Sequence, residues 1–513
     1  MSQDLYYNQF ERAPYLTRAV AVTKPEDPCW AYLNMSKHWK LIDSLRGGTH
    51  AMRQQRQTFL PQEPREGDSA YESRLNRSVL SPYLVRLQQL ITGLVLRKEV
   101  SLDDVSDTFL QHAYNINLLG DNLQVFTKKL LECAVYYGHA GVLVDMPTED
   151  QPLLTLAEEK TANRRPYWVL YEPKDILGWR STIKGGAEQL TQVRLRESIT
   201  EPDGEFGEKF LYRIRVLEPG KWRLYTQVEE GGDYRLSDEG TTSLEYIPFS
   251  ICYADKVRVL ESRPPLLDIA HLNLKHFQLQ SDLDWMLHIS AVPMLAFFGF
   301  PNTVDEVSVG PNEAINFPSD GKAQYIEPGG ASFSAQAERL AKIEHEINSL
   351  SLAAIMGQKM GAETAQAKRI DRSQGDAGLN TLAQGLEDCL DNCLMFHAAY
   401  LGEKAGTAKV NRDFIDVGLD PAEINAYMQL WLSQAITHKT LLEILQDGDV
   451  FAGVTEFDVE KEIEMTQQSL VEKQTQQMEM QAEQQRQSQE IALEGQQAQA
   501  EMMPPEDTNG QPR

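Results

Sequence analysis

The chain has 513 residues, 42% of them hydrophobic and 24% charged, values that exclude wholly disordered, collagen-like and disulfide-scaffold proteins and allow a substantial core. Its 49 Lys and Arg stand against 75 Asp and Glu, a net charge of −26. That balance excludes a broad basic face gripping nucleic acid, though not a local basic patch or a repelling acidic wall. The excess is uneven, with 14 basic and 10 acidic side chains in residues 1–100 but 8 and 21 in residues 401–513.

Residues 1–30 read as a mobile arm with aromatic anchors (Tyr6, Tyr7, Phe10) and the breakers Pro14, Pro25 and Pro28. Glu11, Arg12, Glu26 and Asp27 break any apolar leader. The five scattered cysteines (Cys29, Cys133, Cys252, Cys389, Cys393) are therefore expected as core residues in a reducing cytoplasm. From Trp30 to about Gly120 the pattern is helical. Leu80, Leu84, Leu87, Ile91, Leu94 and Val95 recur at spacings of three and four behind Ser81-Pro82. A second helix is expected from Asp121, as N-cap, to Gly138, as stop. Strands follow at 141–145, 167–171, 210–217 and 222–225, the last two forming a hairpin around Glu218-Pro219-Gly220.

Pro264-Pro265 opens a helix reaching about His288, with Leu267, Ala270, Leu274 and Phe277 on one side and Leu266, Ile269, Leu272 and Leu279 widening the face. The apolar run from Ala291 to Phe300 is interrupted by Pro293 and Gly299, and fits strands or a turn better than a membrane helix. A helix from 334 to 356 carries the seam Leu340, Ile343, Ile347, Leu350 and Ala354. Two long helices of matched length around a short β-rich excursion predict an antiparallel pair with a small module at its tip. Beyond come a polar segment at 357–361, a helix at about 379–401, a strand at 410–414 and helices from Asp420-Pro421 to about Leu445. The Gln-rich tail after 467 is expected to fray.

No phosphate-binding loop, HExxH, paired CxxC or Gly-x-Ser-x-Gly elbow occurs, so nothing points to an enzyme, a metal or a cofactor. Cys389 and Cys393, four apart among leucines, read as core packing. His271 and His276, five apart, do not share a helix face and read as surface or interface residues. Asp282 and Asp284 are about 200° apart on a helix, so they cannot work as a carboxylate pair. They are either a solvated face or part of an acidic channel lining that needs many copies around an axis. Between Gly357 and Gln374, Lys359, Lys368, Arg369 and Arg372 outnumber Glu363 and Asp371, a short basic stretch able to touch phosphates or an ordinary loop entering a helix.

The run Tyr32 to Trp39, with Leu41-Ile42-Asp43 and Arg46-Gly47-Gly48, resembles the start of tailed-bacteriophage portal proteins, the head-to-tail connector family. So do Tyr71 to Leu75, Pro82-Tyr83, the helix ending Leu94 to Lys98, Glu172 to Trp179, Pro264 to Asp268 and Glu363-Thr364-Ala365. The order of these pieces across residues 30–415 carries the resemblance, and no single one is diagnostic. It implies an α+β, mainly helical portal-type fold with a wing, a stem helix pair, a β-rich clip and a helical crown, assembled as a cyclic ring of about twelve copies. Residues 1–30 would be the arm, 31–263 the wing, 264–288 and 334–356 the stem helices and 289–333 the clip. Residues 357–376 would be a tunnel loop facing DNA, 377–418 a wing return helix and strand, 419–466 the crown, and 467–513 a barrel helix or disordered tail. The implied function is a virion channel at one capsid vertex for packaging and ejecting double-stranded DNA, assembled in the host cytoplasm. Its implied partners are the terminase large subunit, a tail adaptor, and major capsid and scaffolding proteins, with no membrane. Lys359, Lys368, Arg369 and Arg372 would be the DNA contacts, and Asp282 and Asp284 the acidic lining. Another virion structural or head-morphogenesis protein, and an intracellular nucleic-acid enzyme, are the alternatives.

Overall fold

The structure, a computed structural model, describes residues 22–147, 164–227, 231–291, 294–298, 321–326, 331–355, 365–412, 421–433 and 435–447, with isolated positions elsewhere. Its contacts divide into two units, Met1–Phe414 and Ile415–Arg513.

The larger unit begins with helices α1 (Trp30–Arg46), α2 (Gly48–Gln54), α3 (Asp68–Arg77) and α4 (Tyr83–Val95). α4 starts just after Ser81-Pro82 and buries Leu84, Leu87, Ile91 and Val95, the expected three–four stripe. Strand β1 (Ser101–Asp103) precedes α5 (Asp107–Ala113), whose Ser106 cap accepts a hydrogen bond from the Phe109 amide at 3.2 Å. The next helix, α6 (Leu123–Tyr137), is capped one residue later than expected. Asn122 Oδ1 accepts from the Val125 amide at 2.9 Å, while Asp121 is engaged by Lys129 at 2.6 Å. Gly138 stops it at φ +95°, a left-handed conformation that favours glycine.

Strands β2 (His139–Asp145) and β3 (Tyr167–Tyr171) lie where expected. The strands β4 (Ile176–Lys184), β5 (Ala187–Asp203), β6 (Gly207–Glu218), β7 (Lys221–Gln227) and β8 (Tyr234–Thr241) follow as an antiparallel meander in that order. The β6–β7 hairpin turns at Pro219-Gly220, where Gly220 has φ +73°. β4, β5 and β8 are absent from the sequence reading because long stretches of them are polar and exposed. β9 (Phe249–Tyr253) pairs with β2, giving a second sheet of order β3-β2-β9. A small hairpin, β10 (Lys256–Arg258) with β11 (Glu261–Ser262), ends this region.

Next come α7 (Leu267–Ser290), β12 (Met294–Phe298), β13 (Lys322–Ile326), α8 (Ala331–Ile355) and α9 (Ala365–Leu401). β12 and β13 pair antiparallel, Met294 opposite Ile326, so residues 294–298 of the interrupted apolar run form a strand. The last strand, β14 (Thr407–Lys409), pairs with β1 and replaces the one expected at 410–414. Val410 and Phe414 are buried instead as isolated core side chains.

The core lies around β2, whose residues His139 to Val144 are buried without alternation, as in a strand covered on both faces. It packs against α6 and α9. Gly385 of α9 is needed there, since a Cβ would collide with the Tyr253 carbonyl of β9. Cys133, Cys252, Cys389 and Cys393 are buried thiols in these layers, as expected of core cysteines, and Cys29 is partly buried. Residues 22–29 of the expected arm are tied to the meander. The Arg194 guanidinium donates to the carbonyls of Pro25 and Asp27 at 3.0 and 2.7 Å.

In the second unit α10 (Pro421–Leu432) begins at Pro421 as expected, and α11 (His438–Asp447) buries Leu441, Leu442 and Leu445. Residues 1–21, 299–320 and 356–364, and most of the chain beyond 447, lie outside the described residues. So do Lys359, Asp420 and most of the Gln-rich tail.

Candidate functional site

α7 and α8, with 24 and 25 residues, each reach about 36 Å at the usual rise per residue. Both adjoin the same end of the β12–β13 ladder, where Met294 stands opposite Ile326, and they run side by side. His276 lies fourteen residues before the end of α7, and Glu344 thirteen residues after the start of α8; His276 Nε2 meets Glu344 Oε1 at 3.1 Å. That match in distance from the hairpin makes the pair antiparallel. Leu340, Ile343 and Ile347 of the expected seam are buried. Leu350 is 48% exposed, and Ala354 lies outside the residues whose side chains are described.

A stripe on α7 roots it in the helical region. Ala270, Asn273, Phe277 and Ser281 recur at spacings of three and four and all are buried, two of them polar. Each polar group is matched. Asn273 Oδ1 accepts from the Leu84 amide at 3.1 Å, and its Nδ2 donates to the Ser81 carbonyl at 2.9 Å. Ser78 Oγ donates to Ser281 Oγ at 2.7 Å, and Gln278 donates to the Phe59 carbonyl at 3.0 Å. The hydrogen bonds of Asn273 hold α7 against the start of α4 and those of Ser281 hold it beside the end of α3, which apolar packing alone would not specify.

One further tie is ionic. Arg74, 4% exposed, donates Nε and Nη2 to the two Glu66 oxygens at 2.8 Å each, Nη2 to the Pro61 carbonyl at 2.7 Å and Nη1 to Asp282 Oδ1 at 3.2 Å. The Arg74 fork holds the Glu66 carboxyl below the ordinary range, and burial lifts that of Asp282 although Arg74 opposes it. Asp282 thus faces α3, while Asp284 accepts from Gln280 at 2.9 Å, so the two acids engage different neighbours. His276 corrects the expectation of a surface or interface histidine. It is 1% exposed, edge-on to Tyr83 with ring centroids 5.1 Å apart, whereas His271 is exposed.

The basic stretch is not a loop where it is described. α9 starts at Ala365 rather than near 377, so the expected tunnel loop at 357–376 is helical from 365 onward. Lys368 and Arg372 lie four residues apart, about one turn, with Arg369 about 100° away. Among the described residues no group of three or more His, Cys, Asp or Glu could hold a metal ion, and no helix is long and apolar enough to cross a membrane. Sequence reasoning misses Arg74, Ser78, Asn273, His276 and Glu344. The available signal is the polar residues lodged within the apolar stripe of α7.

A family model described as a domain of unknown function (DUF4055) matches residues 265–401, which span α7 to α9. No curated protein matches the sequence. Among solved structures, a chain from the neck of a native gene transfer agent (GTA) particle, computed with C12 symmetry, is similar. Its TM-score is 0.37 at 11% identity, covering 74% of this chain and 93% of that one. A chain from the neck of an empty GTA particle, computed with C6 symmetry, gives 0.39 at 12%, covering 75% and 94%. One from the virion of a native GTA particle gives 0.38 at 10%, covering 79% and 98%.

Proposed function

We propose that this chain is a viral portal protein, a non-enzymatic ring of about twelve copies at one capsid vertex through which DNA is packaged and later ejected. The observation that carries the reading is the antiparallel pair α7–α8, rooted by buried polar contacts and tipped by β12–β13. It coincides with the segments that the sequence resemblance assigns to stem and clip. In this reading α7 and α8 are the stem, β12–β13 belong to the clip, the α+β region is the wing and α10–α11 belong to the crown. The clip would receive the terminase large subunit during packaging and a tail adaptor afterwards, and the wing would meet capsid and scaffolding proteins. The net charge of −26 supports a passive conduit, because an acidic wall repels the duplex and lets it slide. Lys359, Lys368, Arg369 and Arg372 would make transient phosphate contacts, with Asp282 and Asp284 among the acids of the lining. Electron microscopy and light scattering of the purified 58.1 kDa chain test this. The expected result is a ring with a central hole, on the order of 700 kDa. A stable compact dimer without a channel would reject it in favour of another head-morphogenesis protein.

A further inference from the structure

The ladder of β5 on β6 runs past the rest of its sheet. β4 accompanies β5 no further than Leu195, opposite Ile176, and β7 accompanies β6 only from Arg213, opposite Thr226. The six pairs from Ser198–Tyr212 to Asp203–Gly207 therefore have no strand on either side among the described residues, a two-stranded arm about 20 Å long. Its turn is tight, with Gly204 at φ +72° and Gly207 where a Cβ would collide with the Asp203 carbonyl. An isolated hairpin of this kind is at best marginally stable in water, so its faces and edges call for cover.

The two faces of the arm differ. Ile199 and Leu211 share one, and Leu211 is buried. Ser198, Thr200, Phe210 and Tyr212 share the other, and all four are exposed. Closer to the base that same face is core, where Ile214 and Val216 are buried with Leu177 and packed by Tyr32. On the arm, Phe210 keeps 57% of its surface in solvent and Phe206, in the turn, 91%. Exposed aromatics on a structured arm mark a docking surface. Pro202, a residue tolerated in a strand where its missing donor faces outward, blunts the outer edge of β5, which leaves the open face to make the contact.

Charge selects the occupant. Residues 198–208 carry Glu201, Asp203, Glu205 and Glu208 and no base, and the next cation, Lys209, stands opposite Glu201 on the face of Leu211. The same chain contains the reverse surface. Residues 78–98 carry Arg86, Arg97 and Lys98 and no acid. The side of α4 turned away from its buried stripe exposes Arg86, Gln89, Leu90 and Gly93 at helical spacing. Neither Arg86 nor Glu205 nor Glu208 has an ion-pair partner among the described residues.

We propose that the β5–β6 arm docks on the α4 face of a second copy of this chain, Phe206 and Phe210 packing on Leu90 while Glu205 and Glu208 meet Arg86. The contact joins two different patches, so it is head-to-tail and repeats from copy to copy. It rests on the ring reading for its closure into a cycle. Light scattering of the full chain over a concentration series at low ionic strength measures the association. Phe206→Ser with Phe210→Ser should weaken it about tenfold, the scale of losing interface aromatics. Glu205→Lys with Glu208→Lys should weaken it, as should Arg86→Glu, whereas the three together restore it because the charges are then exchanged. Lys184→Glu, at an exposed position on β4, should leave it unchanged. If melting shows one of these variants unfolded, a mixture of Phe206→Cys chains with Leu90→Cys chains decides, and a disulfide between the two is expected. Association undiminished by the arm and α4 variants, or no disulfide in the mixture, overturns the proposal and leaves the ring reading standing. A chain that stays monomeric at every concentration overturns it too. Arm-dependent association into a particle without a channel upholds the proposal and rejects the ring.

Discussion

His139 opens β2 with 1% of its surface exposed, its Nδ1 2.7 Å from Ser262 Oγ and its Nε2 unpartnered among the described residues. Burial lowers its pKa from the ordinary 6.5 to about 3, and His397, also buried and next to His112, falls to about 3. Because the folded values lie below the unfolded one, the stability these rings contribute is complete above pH 6.5. It drains as the pH falls toward 3, by about 1.4 kcal/mol per pH unit for each ring. The melting temperature should therefore drop between these limits, and His139→Asn should flatten part of that slope. A variant with the same slope as the unmutated chain would assign the acid sensitivity to other groups. None of this is visible in sequence, where His139 is one polar residue at the edge of an apolar run.

At the scale of elements, the buried Arg74–Glu66 pair fixes α3 on the segment before it, and Arg74 also reaches α7 through Asp282. Removing one partner of a buried ion pair leaves the other uncompensated, which costs about 3–5 kcal/mol. Arg74→Met should lower stability by that amount in chemical denaturation, and adding Glu66→Gln should restore most of it, since no buried charge is then left alone. A double variant as unstable as the single one would mean that the guanidinium acts by packing, or through Asp282 and the Pro61 carbonyl. The helices themselves were legible. α4, α6, α7 and α8 bury apolar residues at helical spacing, and Pro82 opens α4 while Asn122 and Gly138 bound α6. The strands β4, β5 and β8 were not legible, because residues such as Glu188, Gln189 and Glu201 face solvent and their pairing is decided by neighbours across the sheet. The long start of α9 was missed for a related reason. Ala365 to Gly378 lacks a continuous apolar stripe, yet its backbone continues the helix that Leu379, Leu382, Ala383 and Leu386 anchor in the core.

For the whole molecule the charge distribution makes the sharpest functional test. If the chain is a conduit whose phosphate contacts lie at the start of α9, then Lys368→Glu, Arg369→Glu and Arg372→Glu together should impair DNA packaging and leave ring formation intact. Normal packaging by that variant in a packaging assay would remove the DNA-contact role from this segment. Sequence alone determined the amphipathic helices, the β6–β7 hairpin, the paired long helices around a β-rich excursion and the acidic balance. Each is written in local spacing or composition, which the chain carries before it folds. The tertiary structure decided which polar residues root α7, that His276 is buried against Tyr83 and Glu344, and that Asp282 turns toward Arg74. It also decided that β5 and β6 set Arg213 and Arg215 on Glu197, with Arg215 reaching Asp145. These are pairings between residues up to about two hundred positions apart, and only the closing of the core brings such groups within hydrogen-bond reach.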